Sequence, residues 1–139
     1  MTDSKNPAIA ATVLRLSLGT MFIAHALLKY FVFTLPGTAQ FFGSLGLPGA
    51  LGYATFAAEL VGGMLLILGF KTRVVALALV PILLGATWVH AGNGWLFSSP
   101  NGGWEYPAFW TVTLIVQSLL GDGVYALRPS SPHPVPRAA

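Results

Sequence analysis

The chain has 139 residues, 55% of them hydrophobic and only 8% charged, with a mean hydropathy of +0.72. A soluble domain carries about a quarter of its residues charged, so this composition excludes one and points to an all-α integral membrane protein built as a single domain. The net charge of +3 is small and dispersed, without the basic patch that nucleic acid would need, and the absence of cysteine excludes disulfides, thiolate metal sites, iron–sulfur clusters and CxxC relays.

Residues 1–7, MTDSKNP, read as a polar lead. From about Ala8 to Phe33 the sequence is apolar but carries Arg15, His25 and Lys29. On a helix these three fall within an arc of about 80°, leaving the remaining surface for lipid. Ala24-His25-Ala26 imitates a signal-peptide cleavage site, but Arg15 interrupts the apolar run and hydrophobicity resumes after Lys29. The segment is therefore expected to be a retained first helix. Leu35-Pro36-Gly37 breaks it, and Gln40 to Gly49 reads as a Gly-rich connector.

A second helix is expected over about Leu51–Phe70, close to the ~20 residues that a bilayer crossing needs. Lys71-Thr72-Arg73 is a charged turn, and a third helix runs from Val74 to about Trp95, with Pro81 set to kink it. GNGWLFSSPNGGW over 92–104 is a loop. The fourth helix runs from about Tyr106 to Leu120, with Pro107 suited to its first turn and Glu105 near its positive end. Gly121-Asp122-Gly123 ends it, and from Arg128 onward RPSSPHPVPRAA is a Pro-rich tail expected to be disordered.

Four crossings place both termini on one side. Lys5, Lys71, Arg73, Arg128 and Arg137 then share that side, with Arg15 near it, while the two opposite loops contain no Lys or Arg. That asymmetry predicts cytoplasmic termini in a prokaryotic cytoplasmic membrane. Tyr53, Trp95, Trp104 and Tyr106 gather at the outer interface as an aromatic belt.

Glu59 stands inside the apolar run AAELVGGMLLILG. An ionised carboxylate in hydrocarbon costs several kcal/mol, so it should face a cation, other helices or a wet cavity. Thr55, Glu59, Gly62, Gly63 and Leu66 share one helical stripe, and the small residues allow a neighbouring backbone to approach closely. By rise per residue, His25 and Glu59 each lie roughly 12 Å below the outer surface, with Lys29 one turn shallower than His25. His90 and Glu105 lie nearer the mouth. The five residues His25, Lys29, Glu59, His90 and Glu105 are thus expected to converge on one cavity as a ligand or proton site.

Each also has a plainer role available. Lys29 can snorkel to the interface, Glu59 can be a structural tie to Lys29 or His25 that fixes helix register, His90 can be a hydrogen-bonded wall, and Glu105 a helix-start charge. Gln117 is expected to bond a neighbouring helix. Arg15, Asp122 and Arg128 read as cytoplasmic-rim residues.

These residues carry a family resemblance. Arg15 with His25-Ala26-Leu27-Leu28-Lys29, Phe42-Gly43-Ser44-Leu45-Gly46-Leu47-Pro48, Glu59-Leu60-Val61-Gly62-Gly63 and Leu68-Gly69-Phe70-Lys71-Thr72-Arg73 resemble motifs of the DoxX family. So do His90 with Asn93-Gly94, Gly103-Trp104-Glu105-Tyr106-Pro107, and the closing Gly121-Asp122-Gly123-Val124-Tyr125-Ala126-Leu127-Arg128. The chain departs from the pattern at Ala26, where the family has glycine, and at the last two polar positions of the closing block. The resemblance covers roughly residues 12–128. It implies a small bundle of four transmembrane helices, and it implies association with membrane redox complexes. The family takes its name from a subunit associated with a thiosulfate–quinone oxidoreductase and a terminal quinol oxidase.

Two functional readings follow. In the first the chain is a subunit of a quinone-linked oxidoreductase that contributes a quinone and proton site, while other membrane-protein subunits deliver electrons. In the second it is a non-catalytic structural or assembly subunit of a larger membrane complex. Neither makes it a stand-alone enzyme or assigns a catalytic residue. Haem b held by His25 and His90, or a metal ion held with Glu59 and Glu105, ranks behind these because two lone histidines rarely form such a site. A small-solute transporter ranks with them, since four short helices could serve only as an oligomer.

Overall fold

In hydrocarbon every backbone N–H and C=O must be satisfied within its own segment, which leaves a long apolar run little choice but a helix. The computed structural model describes residues 5–130 and has five α-helices. They are α1 (Lys5–Phe31), α2 (Leu35–Ser44), α3 (Ala50–Leu68), α4 (Thr72–His90) and α5 (Glu105–Leu120), with a 3-10 turn Ala91–Asn93 continuing α4. Among the described residues there is no strand, and one isolated bridge joins Phe70 to Arg128. Three segments are long and apolar enough to cross a bilayer: α1, α3, and α4 with its 3-10 turn. Their outward faces are studded with exposed apolar side chains such as Val13, Phe31, Leu77 and Trp88. This is an integral membrane protein whose helices contact lipid.

Several boundaries differ from expectation, among them that of α4, which opens at Thr72 inside the expected charged turn and ends with its 3-10 turn at Asn93. The first helix takes in Lys5, Asn6 and Pro7 of the expected lead, since proline is tolerated in a first turn; residues 1–4 lie outside the described residues. Residues 35–44, expected as a break and the start of a connector, are helical instead. Thr34 is the reason: its Oγ1 accepts from the Gly37 amide at 3.1 Å, capping the helix, and Pro36 sits where its missing N–H is not needed.

The helices pair α1 with α3 and α4 with α5, and α3 then packs on α4 and α1 on α5, while α2 covers α3. Leu18, Phe22, Leu66, Ala76, Leu79, Leu83, Trp110 and Leu114 form the buried core. The α1–α3 crossing is made by two glycines: a Cβ on Gly19 would lie 2.7 Å from the Gly63 carbonyl oxygen, and one on Gly63 would lie 2.9 Å from that of Gly19. The small residues beside Glu59 therefore bring the two backbones into contact, as membrane helix pairs require.

At the other end of α3, Gly69 adopts φ 71° and closes the helix, with its N–H donating to Leu66 O and that of Phe70 to Leu65 O. A side chain at Gly69 would also fall on the Arg15 guanidinium, which is 2% exposed and donates from Nη2 to Val124 O at 3.3 Å. Residues 121–130 form a hook that folds back beneath the α3–α4 turn. Leu127 N donates to Leu68 O at 3.0 Å, Arg128 N to Gly69 O at 3.1 Å, and Lys71 N to Arg128 O at 2.7 Å. Residues 128–130, expected as the start of an unpacked tail, are thus tied down because the turn offers them backbone partners. The rest of that tail, 131–139, lies outside the described residues.

Asp122 organises the hook. Its Oδ1 accepts from Thr72 N at 3.0 Å and Ser130 Oγ at 2.9 Å, and its Oδ2 from Ser130 N at 2.8 Å. Burial alone would raise this carboxyl, but the hydrogen bonds from Ser130 and Thr72 outweigh it and hold Asp122 below its ordinary value. Arg73 caps the far end of α5 through Ser118 O and Leu119 O at 2.8 and 3.0 Å. Gln117 is fully buried and donates to Ala11 O of α1 at 3.1 Å, as a residue bonding a neighbouring helix does.

Candidate functional site

Glu59 meets its cation. Lys29 Nζ lies 2.8 Å from Oε2 and 3.0 Å from Oε1, so one ammonium from α1 closes both oxygens of a carboxylate that is 4% exposed on α3. Burial strengthens such a pair and makes the loss of either partner costly. His25 stands one turn before Lys29 on α1. Its Nδ1 lies 2.9 Å from Met21 O. A carbonyl can only accept, so Nδ1 carries the hydrogen there and in the neutral ring Nε2 is the acceptor.

The rest of the imidazole is held by aromatic rings from α5. Trp110 meets it edge-on with centroids 4.7 Å apart, and Tyr106 stacks on it at 6.1 Å. Phe22, one turn earlier on α1, packs on Trp110 at 4.6 Å. Trp110 is 3% exposed, and its Nε1 is a buried donor with no hydrogen-bond partner. Buried indole N–H groups normally find an acceptor, and among the described residues this one has none.

His90 and Glu105 are engaged by the loop. His90 Nδ1 donates to Asn101 O and Gly102 O at 3.0 and 3.1 Å, and Asn93 Nδ2 reaches the same carbonyls at 3.2 and 2.9 Å. Glu105 Oε1 accepts from Phe97 N at 3.0 Å, while its own N–H donates to Trp95 O at 3.0 Å. Of the five residues expected to converge, the structure joins Lys29 to Glu59, sets His25 one turn before Lys29 against Tyr106 and Trp110, and gives His90 and Glu105 hydrogen bonds that stitch residues 92–104. Among the described residues no three His, Asp or Glu side chains form a metal-ligand cluster.

Sequence reasoning missed Trp110 and did not connect Tyr106 with His25. A signal for Trp110 was present: tryptophan belongs at the membrane interface, yet this one falls inside a helix, where its N–H must find a partner.

Long apolar helices, a buried ion pair and a polar cluster among aromatic rings define a small helical membrane protein with an internal polar site. The DoxX family model matches residues 10–92, and the chain belongs to that family. It is also similar to a protein of Bacillus subtilis (strain 168) named "Putative oxidoreductase CatD", with 40% identity over 83 residues. That stretch is 60% of this chain and 60% of the relative, so the match spans about three fifths of the curated protein. No solved structure matches the chain.

Proposed function

We propose that this chain is a membrane subunit of a quinone-linked redox complex, and that the cluster around His25 is where a quinone head binds and exchanges protons. The observation that carries this reading is the buried, unpartnered N–H of Trp110 against the imidazole of His25. A quinone oxygen is an acceptor that suits the indole donor, and a quinol hydroxyl is a donor that suits the free Nε2 of His25. Reduction of a quinone to a quinol takes two electrons and two protons. His25 handles protons, the Lys29–Glu59 pair holds a fixed charge beside it, and a partner subunit supplies the electrons. Family membership and the name of the Bacillus relative support a redox setting.

The reading includes four crossings with both termini cytoplasmic, in a prokaryotic cytoplasmic membrane. In its favour, α5 is bonded to Arg73 at the start of α4 and begins in the loop that follows the end of α4, so it runs antiparallel along its neighbour. Lys71, Arg73 and Arg128 gather where the hook meets the α3–α4 turn, as positively charged cytoplasmic ends do.

The test is equilibrium binding of a quinone to the purified chain. Trp110→Phe keeps the ring and removes the donor, and should weaken binding about 10-fold, the value of one lost hydrogen bond to a buried partner, with unchanged helicity. His25→Ala and Glu59→Gln should weaken it as well. Unchanged binding in all three variants defeats the proposal.

A second reading has its own observation. Both Glu59 oxygens are already taken by Lys29, a closed arrangement that suits a tie between α1 and α3 in a structural or assembly subunit. Under that reading the same substitutions lower the yield of an assembled complex and leave turnover per complex unaltered.

A further inference from the structure

Tyr106 belongs to two surfaces at once. On one side its ring touches His25 and Trp110, with centroids 6.1 and 5.7 Å away. On the other it lines an open groove of about 490 Å³, walled by Trp95, Phe97, Trp104, Phe109 and Val112. That volume is within the range of small-molecule sites, roughly 300–1,000 Å³. The charged residue on the groove is Glu105, and its Oε1 is held by the Phe97 amide. The remaining wall is overwhelmingly aromatic and aliphatic.

The two surfaces are adjacent steps around one helix. Positions 109 and 110 stand about 100° apart on α5, with position 106 in the angle between them. Phe109 is 69% exposed and Trp110 3% exposed. Tyr106 therefore stands between the groove on the membrane face and the unpartnered indole N–H of Trp110.

We infer that the groove holds the apolar tail of the ligand whose head is bonded at Trp110 and His25, so that the site prefers long-tailed quinones and admits them sideways from the outer leaflet. The inference rests on the quinone reading above. Continuity decides the occupant: the buried donor calls for a polar head, the groove beside it takes a flexible apolar chain, and Tyr106 joins the two. A lipid acyl chain would fill the groove without using the donor, and this difference can be measured.

The experiment compares two probes on the full chain in one detergent: tetramethylbenzoquinone, which has no tail, and a benzoquinone bearing a decyl tail. Phe109→Ala opens the groove at an exposed position that the fold does not depend on. Leu119→Ala, 71% exposed on the same helix and away from the groove, controls for partition of the tail into the micelle. The expected result is roughly tenfold weaker binding of the decyl probe by Phe109→Ala, the effect of exposing part of a tail to water or detergent. The tail-less probe should stay within about twofold, and Leu119→Ala should change neither. Equal effects on both probes, or no effect on either, overturn the groove assignment and leave the quinone reading standing. Failure of both probes to bind the unsubstituted chain overturns both.

Discussion

Lys29 and Glu59 separate a tie from a site more sharply than any other pair in the molecule. Lys29→Met leaves a carboxylate that is 4% exposed with no cation, and breaking such a pair from one side costs about 3–5 kcal/mol. Lys29→Met combined with Glu59→Leu removes both charges and should recover most of that loss, measured as unfolding in detergent. If the double variant is stable and still binds quinone like the parent, the pair only joins α1 to α3. If it is stable and binding falls, the charge serves the ligand. At this scale the sequence was legible wherever energy allowed one answer. A lone carboxylate in an apolar run has to leave the lipid for a cation, a neighbouring helix or water, and the structure gives it Lys29, one turn from the depth-matched His25. His90 and Glu105 were harder to place because their partners are backbone groups of residues 92–104. Asn101 and Gly102 present their carbonyls to His90 from left-handed backbone, φ 67° and 76°, and composition does not announce that path. Trp110 was hidden for another reason: its ring reads as one more apolar helix residue, and nothing in the chain order says that it lies against His25.

Between helices, the hook over residues 121–130 is the element whose strength follows pH. Its organiser, Asp122, has its folded-state pKa held below the ordinary carboxylate value of about 3.9 by bonds from Ser130 and Thr72. A depressed folded value contributes stability that is fully present above the unfolded pKa and is lost as pH falls through the folded one. The hook should therefore stay closed at neutral and mildly acidic pH and loosen only below about pH 4. Hydrogen exchange at the Thr72 and Ser130 amides measures this directly. Asp122→Asn should accelerate exchange at both amides at pH 7 and flatten the acid transition; protection that is the same in the variant removes Asp122 from this role. The long helices were readable from apolar runs, and the close approach of a neighbouring backbone from the glycines after Glu59, while Thr72 and Arg73, expected in a turn, open α4 instead. Helix α2 and the hook were not, since each depends on polar atoms finding particular partners: Thr34 Oγ1 the Gly37 amide, and in the hook Asp122 the Thr72 and Ser130 amides with backbone bonds to Leu68, Gly69 and Lys71. Local composition there, rich in Gly and Pro, argues for irregular chain until those partners are known.

For the whole molecule the decisive quantity is how many times the chain crosses the bilayer. Helix α5 has 16 residues, or about 24 Å at helical rise, against a hydrocarbon core of roughly 30 Å. Its length alone would leave it short, yet its two ends are fixed to opposite ends of α4. One end is bonded to the loop through Trp95 and Phe97, and the other to Arg73. A helix fastened in that way runs alongside its partner, and under the four-crossing proposal a slightly thinner bilayer or the flanking aromatics would make up the difference in length. The hook continues this geometry, since its bonds to Leu68, Gly69 and Lys71 set it at the α3–α4 end, about 28 Å along α4 from the loop. Because the sequence holds no cysteine, single-cysteine labelling has no background to subtract. Asn6→Cys, Ser98→Cys and Leu127→Cys, all exposed positions, are tested in intact bacterial cells with a maleimide that cannot pass the membrane. With four crossings only Ser98→Cys reacts, and the other two become reactive once the membrane is opened. With three crossings Leu127→Cys reacts from outside together with Ser98→Cys, the hook and the loop then lie on one face, and the quinone site loses the antiparallel α5 that carries Tyr106 and Trp110 to His25.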